Sequence, residues 1–141
     1  MPYSRSRYDS LFKHYLPPIH PVPWLWAKAQ ALAESNMDKH AVSPCGAKGL
    51  LQFMDATFNE TMGAGHDPFD PEDSIIAYSI YSKWLLKFLE TEDLEKMTAA
   101  YNCGPGRVKN AGESWKEHLP DETNGYLRRV KAFYDELRWE N

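Results

Sequence analysis

Residues 23–52 read PWLWAKAQALAESNMDKHAVSPCGAKGLLQ, a stretch that combines an apolar segment, a carboxylate at its end and a loop. Pro23 suits the first position of a helix, and the alanines and leucines that follow are strong helix formers. At 100° per residue, leucine and alanine occupy one face, and alanine with Glu34 occupies the other, so little polar surface remains. The sequence therefore predicts a helix that is buried on most sides and ends near Glu34.

Glu34 would lie in partly apolar surroundings at the end of this helix. Desolvation disfavours the charged form of a carboxylate, so we expect the pKa of Glu34 to be raised. A raised pKa is what a general acid needs to work near neutral pH. Helical spacing alone leaves an alternative open, namely an ordinary solvated glutamate near a helix end.

The segments after this stretch read as further helices. Ser43-Pro44 and Gly46 predict a loop between the first helix and the next one. Asp70-Pro71 is a strong start signal for a long helix that reaches to about residue 89. Its apolar residues recur every three or four positions and predict the main packing stripe: Ile75, Ile76, Ile80, Tyr81, Trp84, Leu85 and Phe88.

Three more helices are predicted from their capping residues, which are Asp55, Thr91 and Thr123. Gly104-Pro105-Gly106 ends the second of these, which places residues 101–102 at a helix end facing a loop. We find no strand alternation and no internal repeat in the sequence. The fold class that follows is a mainly α, compact, helical single domain.

Length and composition narrow the possible functions. The 141 residues fit one domain, and the formal charge of -4 argues against nucleic acid as a partner. The histidines and the two cysteines have no metal-ligand spacing, so we predict no metal and no cofactor. No export signal is recognisable and no apolar stretch reaches the ~20 residues that span a membrane. We expect a soluble chain with no membrane span, and a monomer.

The N-terminal residues differ from the remainder. Basic side chains and tyrosines alternate over the first fifteen residues, followed by a proline-rich lead-in that cannot continue a helix. We predict an N-terminal arm at residues 1–21, either flexible or docked on the surface, and a catalytic domain at residues 22–141.

Four short motifs resemble, in order, those of the lytic transglycosylases with a goose-type-lysozyme-like domain. Glu34-Ser35 resembles the catalytic pair of that family, and residues 41–52 resemble its loop with the Gly-Leu-x-Gln motif. Residues 100–104, Ala-Tyr-Asn-Cys-Gly, resemble its Ala-Tyr-Asn-x-Gly motif, and Thr123 with Tyr126 and Val130 resembles its last motif. The similarity covers residues 22–137 and implies a lysozyme-like fold.

The resemblance implies an enzyme that cleaves the β-1,4 bond between N-acetylmuramic acid and N-acetylglucosamine in peptidoglycan glycan strands. The product would carry a 1,6-anhydro end, and Glu34 would act first as acid and then as base. Ser35 would bind the substrate or the loop, Gln52 would bind an N-acetyl group or hydroxyl, and Tyr101 and Asn102 would lie in the substrate cleft. Tyr126 would orient Glu34.

Cys45 and Cys103 stand where the family often has small residues, and both motifs border the cleft in that family. A disulfide across the site and a pair of reduced thiols are both open. Asp38 and Asp55 match no catalytic position of the family, so we interpret them as surface or capping residues.

Two alternative functions stay open. The first is a goose-type muramidase that hydrolyses the same bond with water, and the second is a non-catalytic wall-binding or virion-assembly module. The site of action would be the periplasm or cell wall. The missing export signal suits a phage or prophage lysin, released through a pore or carried in a virion, or a periplasmic enzyme cut from a longer precursor.

Overall fold

Helix α2, Trp24–Ser35, runs through the centre of the structure, a computed structural model that describes residues 4–140. Every residue from Trp26 to Leu32 is buried, which confirms the predicted buried helix. Pro23 precedes the first helical residue as the N-cap, one position earlier than predicted. Asn36 ends the helix in the left-handed conformation, with φ of 54°.

The described residues contain seven α-helices and one 3₁₀ helix, joined by loops. They are α1 (Asp9–Tyr15), α2, α3 (Asp55–Met62), α4 (Pro71–Phe88), α5 (Leu94–Cys103), α6 (Pro105–Ala111), the 3₁₀ helix (Gly112–His118) and α7 (Asp121–Glu140). Helix α7 packs along α2, while α5 packs between α4 and α7. Over residues 4–140 extended pairing is limited to isolated bridges in the loop after α2, so the mainly α fold class is confirmed. No helix in this range is long and apolar enough to cross a membrane.

Helix α4 begins as predicted but buries a different face. The Asp70 side chain caps it by accepting a hydrogen bond from the Asp73 backbone N–H at 2.9 Å. Ile80 and Trp84, which were predicted in the packing stripe, are 47% and 46% exposed. The predicted stripe was wrong there because its seven residues span more than one face of a helix. The face that packs on α1, α3 and α5 contains Ser74, Ile75, Ala77, Tyr78, Ser82, Leu85 and Leu86.

The described part of the N-terminal arm is docked on the helices. Phe12 and Leu16 are buried, and Asp9 forms a 2.8 Å ion pair with Lys28, whose side chain is only 3% exposed. Of the two predicted alternatives, the docked arm is the one observed over residues 4–21. The division into an arm at 1–21 and a catalytic domain at 22–141 stays a prediction, and residues 1–3 and 141 lie outside the described residues.

Candidate active site

Glu34 lies in the last turn of α2 and is half-buried. Burial raises the pKa of its carboxyl from 4.5 to about 7, and the nearby Glu122 raises it further to a small extent. A hydrogen bond with the Tyr126 hydroxyl and the charge of Arg129 oppose this rise in pKa. The raised pKa predicted from the sequence is therefore confirmed.

A carboxyl with a pKa near 7 exchanges its proton readily at neutral pH. Both the protonated and the ionised form are populated, so the same group can donate a proton to one atom and later accept one from another. Tyr101 and Tyr126 lie close enough to Glu34 for its charge to raise their own pKa. Burial, the largest cause of the shift, is thus a property of the fold around Glu34.

Three buried polar side chains, those of Tyr78, Gln30 and Tyr126, are hydrogen-bonded in a row that ends at Glu34. We call them the polar row. All three are at most 1% exposed. The Tyr78 hydroxyl donates to Gln30 Oε1, and Gln30 Nε2 donates to the Tyr126 hydroxyl oxygen at 3.0 Å. Since Tyr126 is also hydrogen-bonded to Glu34, the row runs from α4 through α2 and α7 to the carboxyl.

Residues 49–52 form a loop next to the end of α2, and three predicted substrate-binding residues bond to its backbone. The Ser35 hydroxyl donates to the Leu50 carbonyl at 2.8 Å, and the Tyr101 hydroxyl donates to the Leu51 carbonyl at 2.7 Å. Gln52 Nε2 lies 3.0 Å from the Gly49 carbonyl. These side chains therefore hold loop 49–52 in shape.

The same side chains keep some capacity to bind a ligand. A hydroxyl that donates its hydrogen can still accept through its lone pairs, which applies to Ser35 and Tyr101. Gln52 Nε2 donates to the Ala41 carbonyl at 3.1 Å as well, so Oε1 is the atom of Gln52 that is left to accept from a sugar hydroxyl or amide.

Gly49 permits the close approach of loop 49–52 to the segment before α4. Its φ is +79°, and an added Cβ would lie 2.0 Å from the Pro68 carbonyl oxygen. No side chain can be accommodated there without moving backbone, because L residues disfavour this φ and the contact is far inside van der Waals range.

Asn102 and Cys103 lie at the end of α5, and Cys45 lies in the loop after α2. Asn102 Oδ1 accepts a hydrogen bond from the Thr123 hydroxyl at 2.8 Å, which joins α5 to α7. Cys45 is exposed and Cys103 is half-buried, and both thiols are free in the structure. Of the two alternatives that the sequence left open, the observed one is the pair of reduced thiols.

Sequence reasoning missed four residues of the site: Gln30, Tyr78, Glu122 and Arg129. Helical spacing could have indicated three of them, because Gln30 lies one turn before Glu34, and Glu122 and Arg129 flank Tyr126 on one face of α7. Tyr78 carried no such signal.

Other polar groups near the site have local roles. Asp38 accepts from the His40 backbone N–H at 2.9 Å, and Asp55 forms a 3.0 Å ion pair with Lys48. Within residues 4–140, histidine, cysteine and acidic side chains do not gather in groups of three that could hold a metal ion. The absence of a metal and a cofactor from the function stays a prediction.

Comparison with known proteins gives concordant matches. The family described as "Transglycosylase SLT domain" matches residues 21–124. The soluble lytic murein transglycosylase of Escherichia coli (strain K12) is 32% identical over 144 residues, which cover 89% of this chain and 22% of that protein. Membrane-bound lytic murein transglycosylase F of Haemophilus influenzae (strain PittEE) is 30% identical over 146 residues, which cover 94% of this chain and 29% of that protein.

The fold has a close structural counterpart. The crystal structure of the 70 kDa soluble lytic transglycosylase from Escherichia coli superimposes with a TM-score of 0.83 and 31% identity, over 95% of this chain and 24% of that chain. The chain thus spans between a fifth and a third of the length of these relatives.

Proposed function

Because the chain belongs to the transglycosylase SLT domain family, we propose that it is a peptidoglycan lytic transglycosylase. Its substrate would be the glycan strand, cut at the β-1,4 bond between N-acetylmuramic acid and N-acetylglucosamine. The product would carry a 1,6-anhydro ring, with no water consumed. Both named relatives are described as lytic murein transglycosylases, which supports the reaction.

In the first step the protonated Glu34 carboxyl gives its proton to the glycosidic oxygen while the bond from that oxygen to the anomeric carbon breaks. In the second step the Glu34 carboxylate takes the proton of the sugar's own 6-hydroxyl as this oxygen bonds to the anomeric carbon. The proton balance closes, so Glu34 ends as it began. One group suffices because it acts in turn as acid and base.

The observation that carries this proposal is the placement of Glu34, half-buried in the last turn of the buried helix α2 beside Tyr126, where burial raises the pKa of its carboxyl to about 7. An ordinary carboxyl with a pKa near 4.5 would hold almost no proton at neutral pH and would be a poor acid. The hydrogen bond from Tyr126 fixes the direction of the carboxyl and favours its ionised form, which the second step needs.

We propose supporting roles for the residues on either side. Ser35 and Tyr101 hold loop 49–52 as the edge of the glycan cleft, and the Tyr101 ring and Gln52 Oε1 contact the sugar. Asn102 fixes the end of α5 against α7 through Thr123 and presents its amide nitrogen to the cleft. The distances to the loop carbonyls and to Thr123 support these assignments.

A second candidate function is hydrolysis of the same bond, as in a goose-type muramidase. Hydrolases generally need a second carboxylate to activate water or to attack the sugar. Glu122 is close enough to Glu34 to influence its pKa, so it is the residue to examine for that role.

The proposed site of action is the peptidoglycan of a cell wall. One named relative is described as soluble and the other as membrane-bound, and both are bacterial proteins. These relatives do not support the phage or prophage lysin expected from the sequence, and we do not propose it.

The test is digestion of purified peptidoglycan by the protein and by Glu34→Gln. We expect a loss of turbidity with the protein and a loss of at least about 10²-fold in rate with Glu34→Gln, because the acid and base are both removed. Asp38→Asn is the matched control, since it neutralises a half-buried carboxylate with a local role in the loop after α2 and should leave the rate unchanged. Unchanged lysis by Glu34→Gln would refute the proposal and favour a non-catalytic role for this site.

Mass spectrometry of the products separates the two candidate functions. Anhydro products lack the mass of one water compared with hydrolysis products. Hydrated ends, together with their loss in Glu122→Gln, would establish the muramidase instead.

A further inference from the structure

The polar row contains only groups whose hydrogen-bond directions are chemically restricted. An amide oxygen can only accept and an amide nitrogen can only donate, whereas a tyrosine hydroxyl has a single hydrogen. Burial raises the pKa of Tyr78 and of Tyr126 well above 10, so both hydroxyls keep their hydrogens. The direction of each bond in the row is therefore set by its neighbours.

Tyr78 determines the orientation of the Gln30 amide. Its hydroxyl hydrogen points to Gln30 Oε1, an acceptor that lies fully buried with it. Turning the amide over would place Nε2 against this hydroxyl, and the Tyr78 hydrogen would lose its acceptor in the protein interior. A buried donor without a partner is costly, so the amide stays with Nε2 toward Tyr126.

Gln30 in turn determines what the Tyr126 hydroxyl can do. Its oxygen accepts from Gln30 Nε2 at 3.0 Å, so its one hydrogen points elsewhere. The hydrogen-bonded group on that side is the Glu34 carboxyl. Tyr126 therefore donates its single hydrogen to Glu34, and the hydrogen bond that its oxygen accepts from Gln30 favours this direction.

We propose that Tyr78 and Gln30 are positioning residues for the acid and base Glu34: together they fix the Tyr126 hydroxyl as a donor to its carboxylate. This inference rests on the proposed function for its purpose, because the second step of the proposed reaction needs Glu34 as a carboxylate. Neither residue touches the substrate cleft through its polar atoms, which are used within the polar row.

The inference predicts how the pKa of Glu34 responds to substitution of Gln30 or Tyr78, which lie two and three side chains from the carboxyl along the polar row. In Tyr78→Phe the amide is free to turn over, so that Tyr126 can donate to Gln30 and accept from a protonated Glu34. In Gln30→Met the Tyr126 hydroxyl loses the Gln30 N–H that polarises it, so it becomes a weaker donor to the Glu34 carboxylate. Both changes favour the protonated form of the carboxyl and raise its pKa.

Other charged and titratable groups also face Glu34, from three helices packed around it. They are Tyr126, Arg129 and Glu122 on α7, Tyr101 on α5 and Tyr78 on α4. The two variants leave Arg129 and Glu122 in place, so a change in pKa cannot come from removing a charge.

The experiment is a carboxyl ¹³C NMR titration of glutamate-labelled protein, with the Glu34 resonance assigned by its absence in Glu34→Gln. We expect a rise of about one pKa unit in Tyr126→Phe and of about half a unit or more in Tyr78→Phe and Gln30→Met. Tyr81→Phe is the matched control: Tyr81 also lies on α4, but the charge that affects it is that of Glu60, so its loss should leave the pKa of Glu34 unchanged.

If the pKa of Glu34 rises in Tyr126→Phe but not in Gln30→Met, the inference is overturned. If Tyr78→Phe does not fold, Gln30→Met still decides, since it replaces the amide with an apolar side chain of similar length. The titration needs no substrate, so a shifted pKa in a protein that does not cleave peptidoglycan would keep the inference and refute the proposed function. In an active protein, the pH profile of the rate should move upward with the pKa.

Discussion

The polar row and loop 49–52 both lie near Glu34 and are built in different ways. In the polar row, side chains bond to side chains, and every member is buried. Around loop 49–52, side chains bond to backbone carbonyls and are themselves half-buried. A side-chain row can control the protonation of a neighbouring group, while bonds to carbonyls control the path of the main chain.

This difference separates two properties of the site. The polar row should govern the charge of Glu34, and loop 49–52 should govern the shape of the cleft beside it. Variants of the loop are therefore expected to change stability with little effect on the pKa of Glu34, whereas variants in the row are expected to change that pKa. The predictions below test this separation.

The largest effect is expected for Gly49→Ala. The new Cβ would meet the Pro68 carbonyl oxygen at 2.0 Å in a backbone conformation that alanine disfavours. We expect the unfolding free energy to fall by about 4 kcal/mol, combining backbone strain and overpacking. Chemical denaturation measures it, with Gly106→Ala as the control, since an added Cβ at Gly106 has no neighbour within 4 Å. Equal stability of the two variants would show that loop 49–52 moves freely.

The second prediction concerns the pH dependence of stability. The pKa of Glu34 is about 7 in the folded chain and near 4.5 when unfolded, so folding binds a proton between these values. The unfolding free energy should therefore fall as pH rises from about 4.5 to about 7, by about 3 kcal/mol in total from this group.

Glu34→Gln cannot ionise and should lose this dependence. Relative to the unmodified protein it should gain about 3 kcal/mol in stability between about pH 4 and pH 8. Thermal or denaturant unfolding across this range measures the difference, and Asp38→Asn is the control for a lost carboxylate. A constant difference between Glu34→Gln and the unmodified protein would contradict a raised pKa.

A smaller effect is expected for Tyr101→Phe, which removes the hydrogen bond to the Leu51 carbonyl. The loss should be about 1 to 2 kcal/mol, as for a part-buried hydrogen bond whose acceptor is left without its donor. Chemical denaturation measures this loss of unfolding free energy, and the carboxyl ¹³C titration of the same variant measures the pKa of Glu34. A shift in that pKa would break the separation between the loop and the polar row.

The smallest effect is expected for Ser35→Ala. Its hydroxyl bonds to the Leu50 carbonyl at 2.8 Å and lies 3.2 Å from the Ala31 carbonyl, and alanine is the better helix former. The two contributions partly cancel, so we expect a loss of only about 0.5 to 1 kcal/mol. A loss as large as that of Gly49→Ala would mean that Ser35 is the main support of the loop.

Features encoded in short stretches were predictable from the sequence. The buried helix ending at Glu34, its raised pKa and the Asp70 cap all follow from residues within a few positions of one another. The polar row was not predictable, because Gln30 is 48 positions from Tyr78 and 96 positions from Tyr126. Only the tertiary fold, which packs α2 against α7 and brings Tyr78 of α4 within hydrogen-bond distance of Gln30, pairs these side chains, and no local pattern encodes it.

The error in α4 has a related cause. Apolar spacing marked Ile80 and Trp84 for the core, but the neighbouring helices approach the face that carries Tyr78 and Ser82. A small polar residue such as Ser82 carries no hydrophobic signal, although it lets a helix pack closely. The choice among several apolar faces is made by tertiary contacts.

The ion pair between Asp9 and Lys28 joins α1 to α2 and limits how far the N-terminus can be shortened when this protein is fused to another. Cutting the gene at the start of the family match, near residue 21, would delete α1, and with it the counter-ion of Lys28 and the buried side chain of Phe12. The lost burial of Phe12 alone is worth about 1.5 to 3 kcal/mol, a large share of the stability of a small domain. A transplantable unit should therefore begin before Asp9, one helix earlier than sequence similarity suggests.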